Sequence, residues 1–477
     1  MAKSIEADIC VIGGGSGGLS VAAGASQMGA RTVLVEKGRM GGDCLNYGCV
    51  PSKALLACGH AAQAVRRAPA YGVTAGRPAV DAAAVYARVH GTIAAIAPID
   101  SAERFEGLGV TVIAAAARFT GPGEIEAGDT RVKARRFVVA TGSSPFVPPI
   151  PGLAEAPYFT NETIFAAGAL PTHLVIVGGG PIGIEMAQAH RQLGVAVSVL
   201  QKGAILPKDD PELVDVVRRR LIAEGVDLRE GVTVSAVEKT PRGVRVRFAA
   251  EDGAAGDIEG SHILVAAGRR PTVGGLDLEA AGIAYTAKGI AVDARLRTTN
   301  RRVFAVGDVT GGYQFTHMAG YHAGIVIRNA LFRLPAKVDT RAVPWVTYTS
   351  PELAQVGLTE AAARATMAEG ELRILRWTYA ENDRAQAEGE TDGLIKVVAT
   401  KGGRILGAGI AGTHAGETIQ TWILAIAQKL KVGAVAAMIA PYPTLGEVNK
   451  RAAGSFYTPT LFAPRTRKLV RFLSRFG

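Results

Sequence analysis

The chain has 477 residues, of which 48% are hydrophobic and 20% are charged, and its formal net charge is +11. This length supports roughly two to four domains with sizeable cores, and the hydrophobic content excludes a disordered chain. Four cysteines are too few for a disulfide scaffold, and the first residues enter a strand without an apolar signal region. We therefore predict a cytoplasmic protein. The positive charge suits anionic nucleotide cofactors, and no nucleic-acid motif accompanies it.

Residues 7–36 predict a strand, a glycine turn, a helix and a second strand. Gly13, Gly15 and Gly18 form the pattern GxGxxG, and Glu36 ends the second strand. Glycines at this spacing let a backbone approach a pyrophosphate at a helix N-terminus, while the terminal acid can accept hydrogen bonds from a ribose. The pattern therefore predicts a dinucleotide-binding unit.

The next stretch, residues 41–53, holds Cys44 and Cys49. In a helix a five-residue offset rises about 7.5 Å, beyond the roughly 7 Å limit for a disulfide, so the backbone must leave helical geometry between them. Gly48 and Pro51 permit this, and Pro51 indicates that Cys49 lies near a helix N-terminus, which favours a thiolate. Two inert buried cysteines or half of a zinc site are alternatives, although no second Cys or His pair has ligand spacing.

A second copy of the glycine motif occurs at residues 174–201, where Gly178, Gly180 and Gly183 precede a predicted helix and strand. Gln201 occupies the position that Glu36 has in the first copy. An uncharged side chain there removes repulsion against a 2′-phosphate, and Lys202 is near enough in sequence to pair with one. The second copy therefore predicts NADPH in preference to NADH.

Between and after these copies the sequence predicts an Ala-rich helical stretch over residues 82–106, a strand near 302–307 and a helix over 314–329. His317 and His322 lie on the predicted helix over 314–329 and have no other potential metal ligands near them, so we expect packing roles for both and no metal site. Residues 343–348, 394–399 and 405–410 predict antiparallel strands, followed by helices over 417–430 and 433–438. The longest apolar run, 432–440, is too short to span a bilayer.

The stretch 41–53 resembles the redox-active segment of the class I pyridine nucleotide-disulfide oxidoreductases, which include mercuric reductase and dihydrolipoamide dehydrogenase, and the resemblance covers nearly the whole chain. It implies an α/β fold with two Rossmann-like domains, for FAD and NAD(P)H, and a C-terminal α+β dimerisation domain of a homodimer. The implied boundaries are 1–152 and 274–340 for the FAD-binding parts, 153–273 for the NAD(P)-binding domain, and 341–477 for the dimerisation domain.

The resemblance also implies roles for individual residues. Cys49 would be the flavin-proximal thiolate and Cys44 the thiol that meets the acceptor, with Lys53 and Glu185 as an ion pair beside the flavin and Asp308 on its ribityl chain. The remaining positions that it assigns to cofactor binding are Lys37, Gly42, Asp43, Ala117, Thr141, Gly142, Gly268, Arg269 and Gly307.

One departure concerns the electron acceptor. The family motif His-Pro-Thr followed by Glu is here Tyr442-Pro443-Thr444 followed by Glu447. An imidazole titrates near pH 6.5 and a phenol near about 10, so Tyr442 is a poor base for an exchanging thiol. Mercuric reductases share the tyrosine but end in a cysteine pair, which is lacking here. We expect a mercuric-reductase-like enzyme whose acceptor is a metal ion, a quinone or a small disulfide, with dihydrolipoamide dehydrogenase or a flavin-bound redox sensor as alternatives.

Residues 465–477 contain five basic residues and no acids, with Leu469, Phe472, Leu473 and Phe476 at helical spacing. They predict a basic amphipathic helix. It suits either an anionic membrane surface or packing across the dimer.

Overall fold

The computed structural model describes residues 3–476, without the side chain of residue 369. The first third of the chain contains β1 (Lys3–Ile12), α1 (Ser16–Gln27), β2 (Thr32–Glu36), α2 (Gly42–Asn46), α3 (Cys49–Arg67), α4 (Ala82–Ile96), α5 (Ala102–Gly107), β3 (Val110–Ala114), β4 (Ala117–Gly121), β5 (Glu124–Ala127), β6 (Thr130–Val139) and β7 (Ser143–Pro145).

The middle of the chain contains β8 (Tyr158–Phe159), β9 (His173–Val177), α6 (Pro181–Gln192), β10 (Ala196–Leu200), α7 (Pro211–Ala223), β11 (Asp227–Arg229), β12 (Val232–Thr240), β13 (Gly243–Ala250), β14 (Ala255–Gly260), β15 (His262–Val265), β16 (Arg269–Pro271), β17 (Tyr285–Thr286), β18 (Gly289–Ile290), β19 (Val303–Ala305) and α8 (Thr316–Ala330).

The last part of the chain contains β20 (Pro344–Thr347), β21 (Glu352–Gly357), α9 (Glu360–Arg364), β22 (Leu372–Thr378), α10 (Asp383–Ala387), β23 (Leu394–Thr400), β24 (Ile405–Gly412), α11 (Ala415–Thr418), α12 (Gln420–Ala427), α13 (Val432–Ala437), α14 (Glu447–Ser455), α15 (Thr458–Leu461) and α16 (Pro464–Leu473).

The chain divides into two compact units. The first comprises the residues up to Gly178, Ala189–Leu200 and Val232–Asp339, and the second comprises Gly179–Gln188, Gln201–Gly231 and the residues from Thr340 onwards.

The main sheet of the first unit is built on β6. Strands β3, β2, β1 and β6 follow one another in parallel, and β5 and β4 continue the sheet antiparallel from the first half of β6. Strand β19 pairs in parallel with the second half of β6, so the chain returns to this sheet after residue 300 as predicted. Because β1 is covered on both faces, Ile9, Cys10 and Val11 are all fully buried.

The first unit also holds a second parallel arrangement, in which β10, β9, β15 and β8 are neighbours in that order. An antiparallel meander of β12, β13 and β14 packs its buried apolar residues with this sheet in one core. The second unit is built on an antiparallel sheet with the order β20-β21-β24-β23-β22. Its core includes the fully buried Tyr379 and Trp422. The predicted fold class, two Rossmann-like arrangements and a C-terminal α+β portion, is confirmed.

The structure corrects several element predictions. The stretch expected to be helical over 82–106 consists of two helices, α4 and α5, separated by a 3₁₀ turn at Ala97–Asp100 that contains Pro98. Proline cannot donate a helical hydrogen bond, and the backbone N–H of Arg104 donates to the side chain of Ser101, which caps α5. The helix expected over 417–430 is likewise divided into α11 and α12, and strands β21 and β22 and helix α14 were missed.

The run Ala82–Gly107 also bears on membrane contact. By length and composition alone, with a mean hydropathy of 1.3, it is apolar enough to cross a membrane. One such run is weak evidence, because the helices of globular proteins can pass the same test. Helix α4 packs Val85, Tyr86 and Val89 into the first unit.

Candidate active site

The two cysteines lie on either side of a helix break. Helix α2 ends at Asn46, and Gly48, with φ −123° and ψ −106°, precedes α3, whose first residue is Cys49. This is the interruption and the helix start that the sequence predicts. Both residues are free thiols, and the thiol of Cys44 hydrogen bonds to the sulfur of Cys49.

The surroundings of the pair give its two thiols different acidities. The hydrogen bond from Cys44 lowers the pKa of Cys49 to about 6, with further lowering from the hydroxyl of Thr316 and the charge of Lys53. The same hydrogen bond raises the pKa of Cys44, and burial raises it further. At neutral pH Cys49 is therefore the thiolate and Cys44 the thiol that donates to it.

Thr316 is a site residue that sequence reasoning missed. It is the first residue of α8, and its Oγ1 lies 3.3 Å from the sulfur of Cys49. Residues 49 and 316 are far apart in sequence, so no local pattern joins them. The arrangement places the N-termini of two helices at one sulfur, where their partial positive charges favour the thiolate.

The predicted ion pair has one residue in each unit. In the first unit, Lys53 lies one turn after Cys49 on α3, with its Nζ 3.4 Å from Ser52 Oγ. In the second unit, Glu185 on α6 is buried, and its carboxylate accepts a hydrogen bond of 2.9 Å from the backbone N–H of Tyr348. The pairing of Lys53 with Glu185 stays a prediction.

The first glycine turn has the close backbone approach that its spacing predicts. Gly13 has φ +109°, and a Cβ built there would lie 2.4 Å from the carbonyl oxygen of Ala140. A Cβ at Gly18 would overlap the carbonyl oxygen of Gly13. The carboxylate of Glu36 accepts a hydrogen bond from the backbone N–H of Gly14, so the acid closes the turn.

The same turn meets the helix that precedes the cysteines. Gly42 begins α2 with φ +57°, and a Cβ there would lie 2.7 Å from the Cα of Gly15. Only two glycines allow this approach without strain. The start of α1 and the start of α2 therefore lie side by side, as a cradle for a pyrophosphate requires.

The second glycine turn repeats the geometry of the first. Gly178 has φ +116°, and its Cβ would lie 2.4 Å from the carbonyl oxygen of Ala266, the same distance as for Gly13 and Ala140. Gln201 Oε1 accepts a hydrogen bond of 2.7 Å from the backbone N–H of Gly179, as Glu36 does from Gly14. Gln201 is thus the structural counterpart of Glu36. Gly180 and Gly183 lie at and just inside the start of α6, as predicted.

A polar cluster joins the two carboxylates that were assigned to the flavin. The guanidinium of Arg269 lies 3.2 Å from Asp43 Oδ1 and donates to the hydroxyl of Ser143 at 2.7 Å. Ser143 in turn donates to Asp308 Oδ2 at 2.6 Å. Burial raises the pKa of Asp308. The side chain of Arg269 is only 12% exposed, so one cation offsets two carboxylates.

Ser143 and Asn161 are further members of this cluster that the sequence did not reveal. Asn161 donates to Asp43 Oδ1 at 3.1 Å and to the carbonyl of Tyr47 at 3.3 Å, which fixes the segment between the two cysteines. An isolated serine after a strand and an isolated asparagine in a loop carry no motif, so only the folded chain identifies them.

The remaining predicted cofactor residues lie at strand ends and turns. Thr141 donates from Oγ1 to the carbonyl of Thr272 at 2.7 Å, and the backbone N–H of Gly307 donates to Nδ1 of the buried His322 at 3.2 Å. Burial lowers the pKa of His322, so the ring is a neutral acceptor in the core. Gly142 and Gly268 have positive φ and open space around the Cα, whereas Lys37 and Lys202 are exposed.

Ala117 lies on β4, beside a surface cavity of about 280 Å³. The cavity walls are formed by Ala116, Ala117, Arg118, Glu126, Gly128 and Gly275.

In the second unit, Tyr442 is 68% exposed and donates from its hydroxyl to Asp383 Oδ2 at 2.8 Å. This hydrogen bond raises the pKa of Tyr442, so the phenol keeps its proton at neutral pH. Glu447 is the first residue of α14 and pairs with Arg451 at 2.9 Å. Asp383 is a partner of Tyr442 that the sequence did not indicate.

Dinucleotides fit both turns. Each turn has the features that pyrophosphate binding needs. These are glycines where a Cβ would clash, an acceptor side chain that closes the turn, and a helix that follows it. A metal cofactor has no comparable support: within the part of the chain that the structure describes, no group of three or more His, Cys, Asp or Glu residues is placed to hold one.

Comparison with known proteins agrees with this geometry. The family model "Pyridine nucleotide-disulphide oxidoreductase" matches residues 7–323, and the dimerisation domain of the same family matches residues 343–453. The chain is 36% identical to a mercuric reductase of Streptomyces lividans over 464 residues, covering 94% of this chain and 96% of the relative. It is 34% identical to the dihydrolipoyl dehydrogenase of Bacillus subtilis over 466 residues, with the same two coverages.

A solved structure gives the same result. The Cu(II) complex of the HOCl-induced flavoprotein disulfide reductase RclA from Escherichia coli superposes with a TM-score of 0.83 and 26% sequence identity, covering 94% of this chain and 99% of that one. These similarities make the protein an FAD-dependent oxidoreductase that uses NAD(P)H. The chain belongs to the pyridine nucleotide-disulphide oxidoreductase family.

Proposed function

We propose that this enzyme oxidises NADPH and reduces a soft metal ion such as Hg(II) or Cu(II) through Cys44 and Cys49. Two observations carry the proposal: Cys49 and Cys44 form a thiolate and thiol pair in the first unit, and the second unit has a protonated phenol, Tyr442, where the family motif has a histidine. The first glycine turn, with Asp43 and Asp308, would hold FAD, which would supply the two-electron chemistry between the nicotinamide and the cysteine pair. Lys53, one turn from Cys49, would stabilise negative charge that develops beside the thiolate.

The chemistry of the pair favours a metal ion over a disulfide. Cys44 holds its proton tightly, and Tyr442, itself protonated, is unsuited to remove it. A soft metal ion removes this need, because coordination to sulfur displaces the thiol proton. Two thiolates then lose one electron each as the Cys44–Cys49 bond forms. One Hg(II) takes both electrons, or two Cu(II) ions take one each.

Two names among the similar proteins support this choice of acceptor. Several relatives are mercuric reductases, and the solved reductase is described as a Cu(II) complex. A quinone is the second candidate, favoured by the basic amphipathic helix α16, which suits a lipid surface where quinones dissolve. A quinone would take up both electrons, one proton from the Cys44 thiol and a second proton from solvent.

The donor is proposed to be NADPH because Gln201 closes the second turn without a charge. Its amide oxygen accepts a hydrogen bond from the backbone N–H of Gly179, as the carboxylate of Glu36 does from Gly14, and it leaves the ribose side free of a carboxylate. The oligomer is proposed to be a homodimer in which Tyr442 and Glu447 approach the cysteine pair of the other copy, as the family's dimerisation domain suggests. Light scattering of the holoenzyme tests the dimer.

The test of the acceptor is NADPH and NADH oxidation by the holoenzyme with Hg(II), Cu(II), quinones, glutathione disulfide and lipoamide. We expect a metal ion to give the highest kcat/KM, and Cys44→Ser and Cys49→Ser to abolish that activity while flavin content is unchanged. Rapid lipoamide turnover would make the enzyme a dihydrolipoamide dehydrogenase. Flavin that NADPH reduces but no acceptor reoxidises would indicate a redox sensor. Either result would contradict the proposal.

A further inference from the structure

The segment after α14 carries a helix with two chemically different faces. Helix α16 spans Pro464–Leu473, none of its residues is buried, and it follows the short helix α15. The match to the family's dimerisation domain ends at residue 453, so α16 lies outside the part that the family description covers. Its role therefore has to be argued from its own residues.

The apolar residues of this segment share one side of the helix. At about 100° per residue, Leu469, Val470, Phe472, Leu473 and Phe476 fall within an arc of roughly 160°. All five are more than half exposed, and the rings of Phe472 and Phe476 meet edge to face at 5.2 Å. An apolar stripe of this width normally faces a core or a bilayer.

The opposite side of the helix is cationic. Arg467, Lys468, Arg471 and Arg475 fall within an arc of about 100°. Arg465, at the helix start, projects on the apolar side and is not part of this face. No Asp or Glu follows Glu447 in the sequence. None of these five basic side chains makes an ion pair in the part of the chain that the structure describes.

We propose that α16 is a membrane-surface helix that binds anionic lipid. Its apolar face would enter the boundary between headgroups and acyl chains, while its basic face would lie at the level of the lipid phosphates. Charge complementarity selects this occupant over the same helix of a second copy, because that helix would bring the same basic face and no acidic side chain to the contact. The proposal is independent of the identity of the electron acceptor.

The experiment measures flotation of the FAD-loaded full chain with vesicles of phosphatidylcholine alone and of an equimolar mixture with phosphatidylglycerol. We expect binding to the anionic vesicles to be at least about tenfold tighter than to the neutral ones, and to weaken with added salt, because basic residues are attracted to anionic headgroups. Equal or absent binding to the two kinds of vesicle at low salt would overturn the proposal.

Two variants test separately how the apolar face and the basic face of α16 contribute to vesicle binding, and a third variant is the matched control. Leu469→Ser with Phe472→Ser removes apolar area, and Arg467→Gln with Arg471→Gln removes two charges; each pair should weaken vesicle binding about tenfold or more. Arg219→Gln with Arg242→Gln removes the same charge from exposed positions elsewhere and should leave binding unchanged. Flavin content and circular dichroism check folding.

The same samples distinguish the alternative, in which a second copy of the chain covers the apolar face of α16. If the serine variant converts the dimer to monomers in light scattering while the unaltered protein ignores anionic vesicles, the helix belongs to a subunit interface and the proposal is wrong. If the serine variant keeps its oligomeric state and loses vesicle binding, the proposal is supported.

Discussion

The hydroxyl oxygen of Thr316, at the start of α8, lies 3.3 Å from the sulfur of Cys49, at the start of α3. Two helices that are separated by more than 200 residues therefore begin at one sulfur atom. The hydrogen bond from Cys44 and the charge of Lys53 act on the same atom, and together they lower its pKa to about 6. The reactivity of the site depends on this convergence.

Replacing Thr316 should make the thiolate harder to form. Thr316→Val removes the hydroxyl without a large change of shape, and we expect the pKa of Cys49 to rise by up to about one unit, since a hydrogen bond to a charged group contributes roughly 1.5 kcal/mol. The pH dependence of iodoacetamide reaction with the reduced protein gives the pKa. Thr316→Ser keeps the hydroxyl and should behave as the unaltered protein; identical profiles for the Val and Ser variants would exclude a role for the hydrogen bond.

Introducing a carboxylate at position 201 should change the preferred donor. Gln201→Glu can keep the hydrogen bond from Gly179, as Glu36 does from Gly14, but places a negative charge where a 2′-phosphate would bind. We expect the KM for NADPH to rise roughly tenfold or more with little change for NADH. Steady-state kinetics with both donors measure this. Gln428→Glu, at an exposed position, is the matched control, and equal effects on both donors would refute NADPH selectivity.

Restoring an imidazole at position 442 should favour disulfide substrates. Tyr442 keeps its proton because its hydroxyl donates to Asp383, which raises its pKa. Tyr442→His supplies a base that titrates near neutral pH, and we expect lipoamide turnover to increase on the order of 10- to 100-fold. Tyr442→Phe should give no increase. A gain in the Phe variant, or none in the His variant, would show that proton transfer does not limit this reaction.

Removing a buried lysine should destabilise the second unit. Lys396, with its side chain only 7% exposed, lies 2.9 Å from Asp210, 2.9 Å from Glu212 and 2.7 Å from Glu360. Lys396→Met leaves Asp210 without this buried cation, while Glu212 and Glu360 keep only Arg376 and Arg364, so we expect the free energy of unfolding at pH 7 to fall by about 3 kcal/mol. Denaturant unfolding measures it, and Lys401→Met at an exposed site should change it by less than about 0.5 kcal/mol.

The loss of unfolding free energy caused by Lys396→Met should depend on pH in a defined direction. The hydrogen bond from Arg376 lowers the pKa of Glu212 most, and the hydrogen bond and charge of Lys396 lower it further. The stability that Lys396 contributes through this carboxylate is therefore present above pH of about 4.3 and is lost as the pH falls through the lowered pKa. The difference between the Lys396→Met variant and the unaltered protein should therefore shrink below about pH 4. A difference that stays constant to lower pH would contradict an electrostatic origin.

The sequence alone determined those features that depend on local spacing. Backbone approach, helix starts and amphipathicity are local properties, so short windows of sequence reveal them. Such windows show the two glycine turns with their following helices, the break between Cys44 and Cys49, the amphipathic α16 and the replacement of histidine by Tyr442. The helical character of residues 82–106 was also visible, but the break at Pro98 was not predicted, since the prediction did not weigh the proline against the apolar pattern.

Tertiary structure alone decided which distant groups meet. Three polar residues of the site carry no sequence signal, because each becomes recognisable only when the fold brings it within hydrogen-bonding distance of its partner. They are Thr316 at the sulfur of Cys49, Ser143 between Arg269 and Asp308, and Asp383 beside Tyr442. The equivalence of Gln201 and Glu36 shows the division well. Equal spacing suggested it, but only the matching hydrogen bonds to Gly179 and Gly14 made it a structural fact, since sequence spacing does not fix where a side chain points.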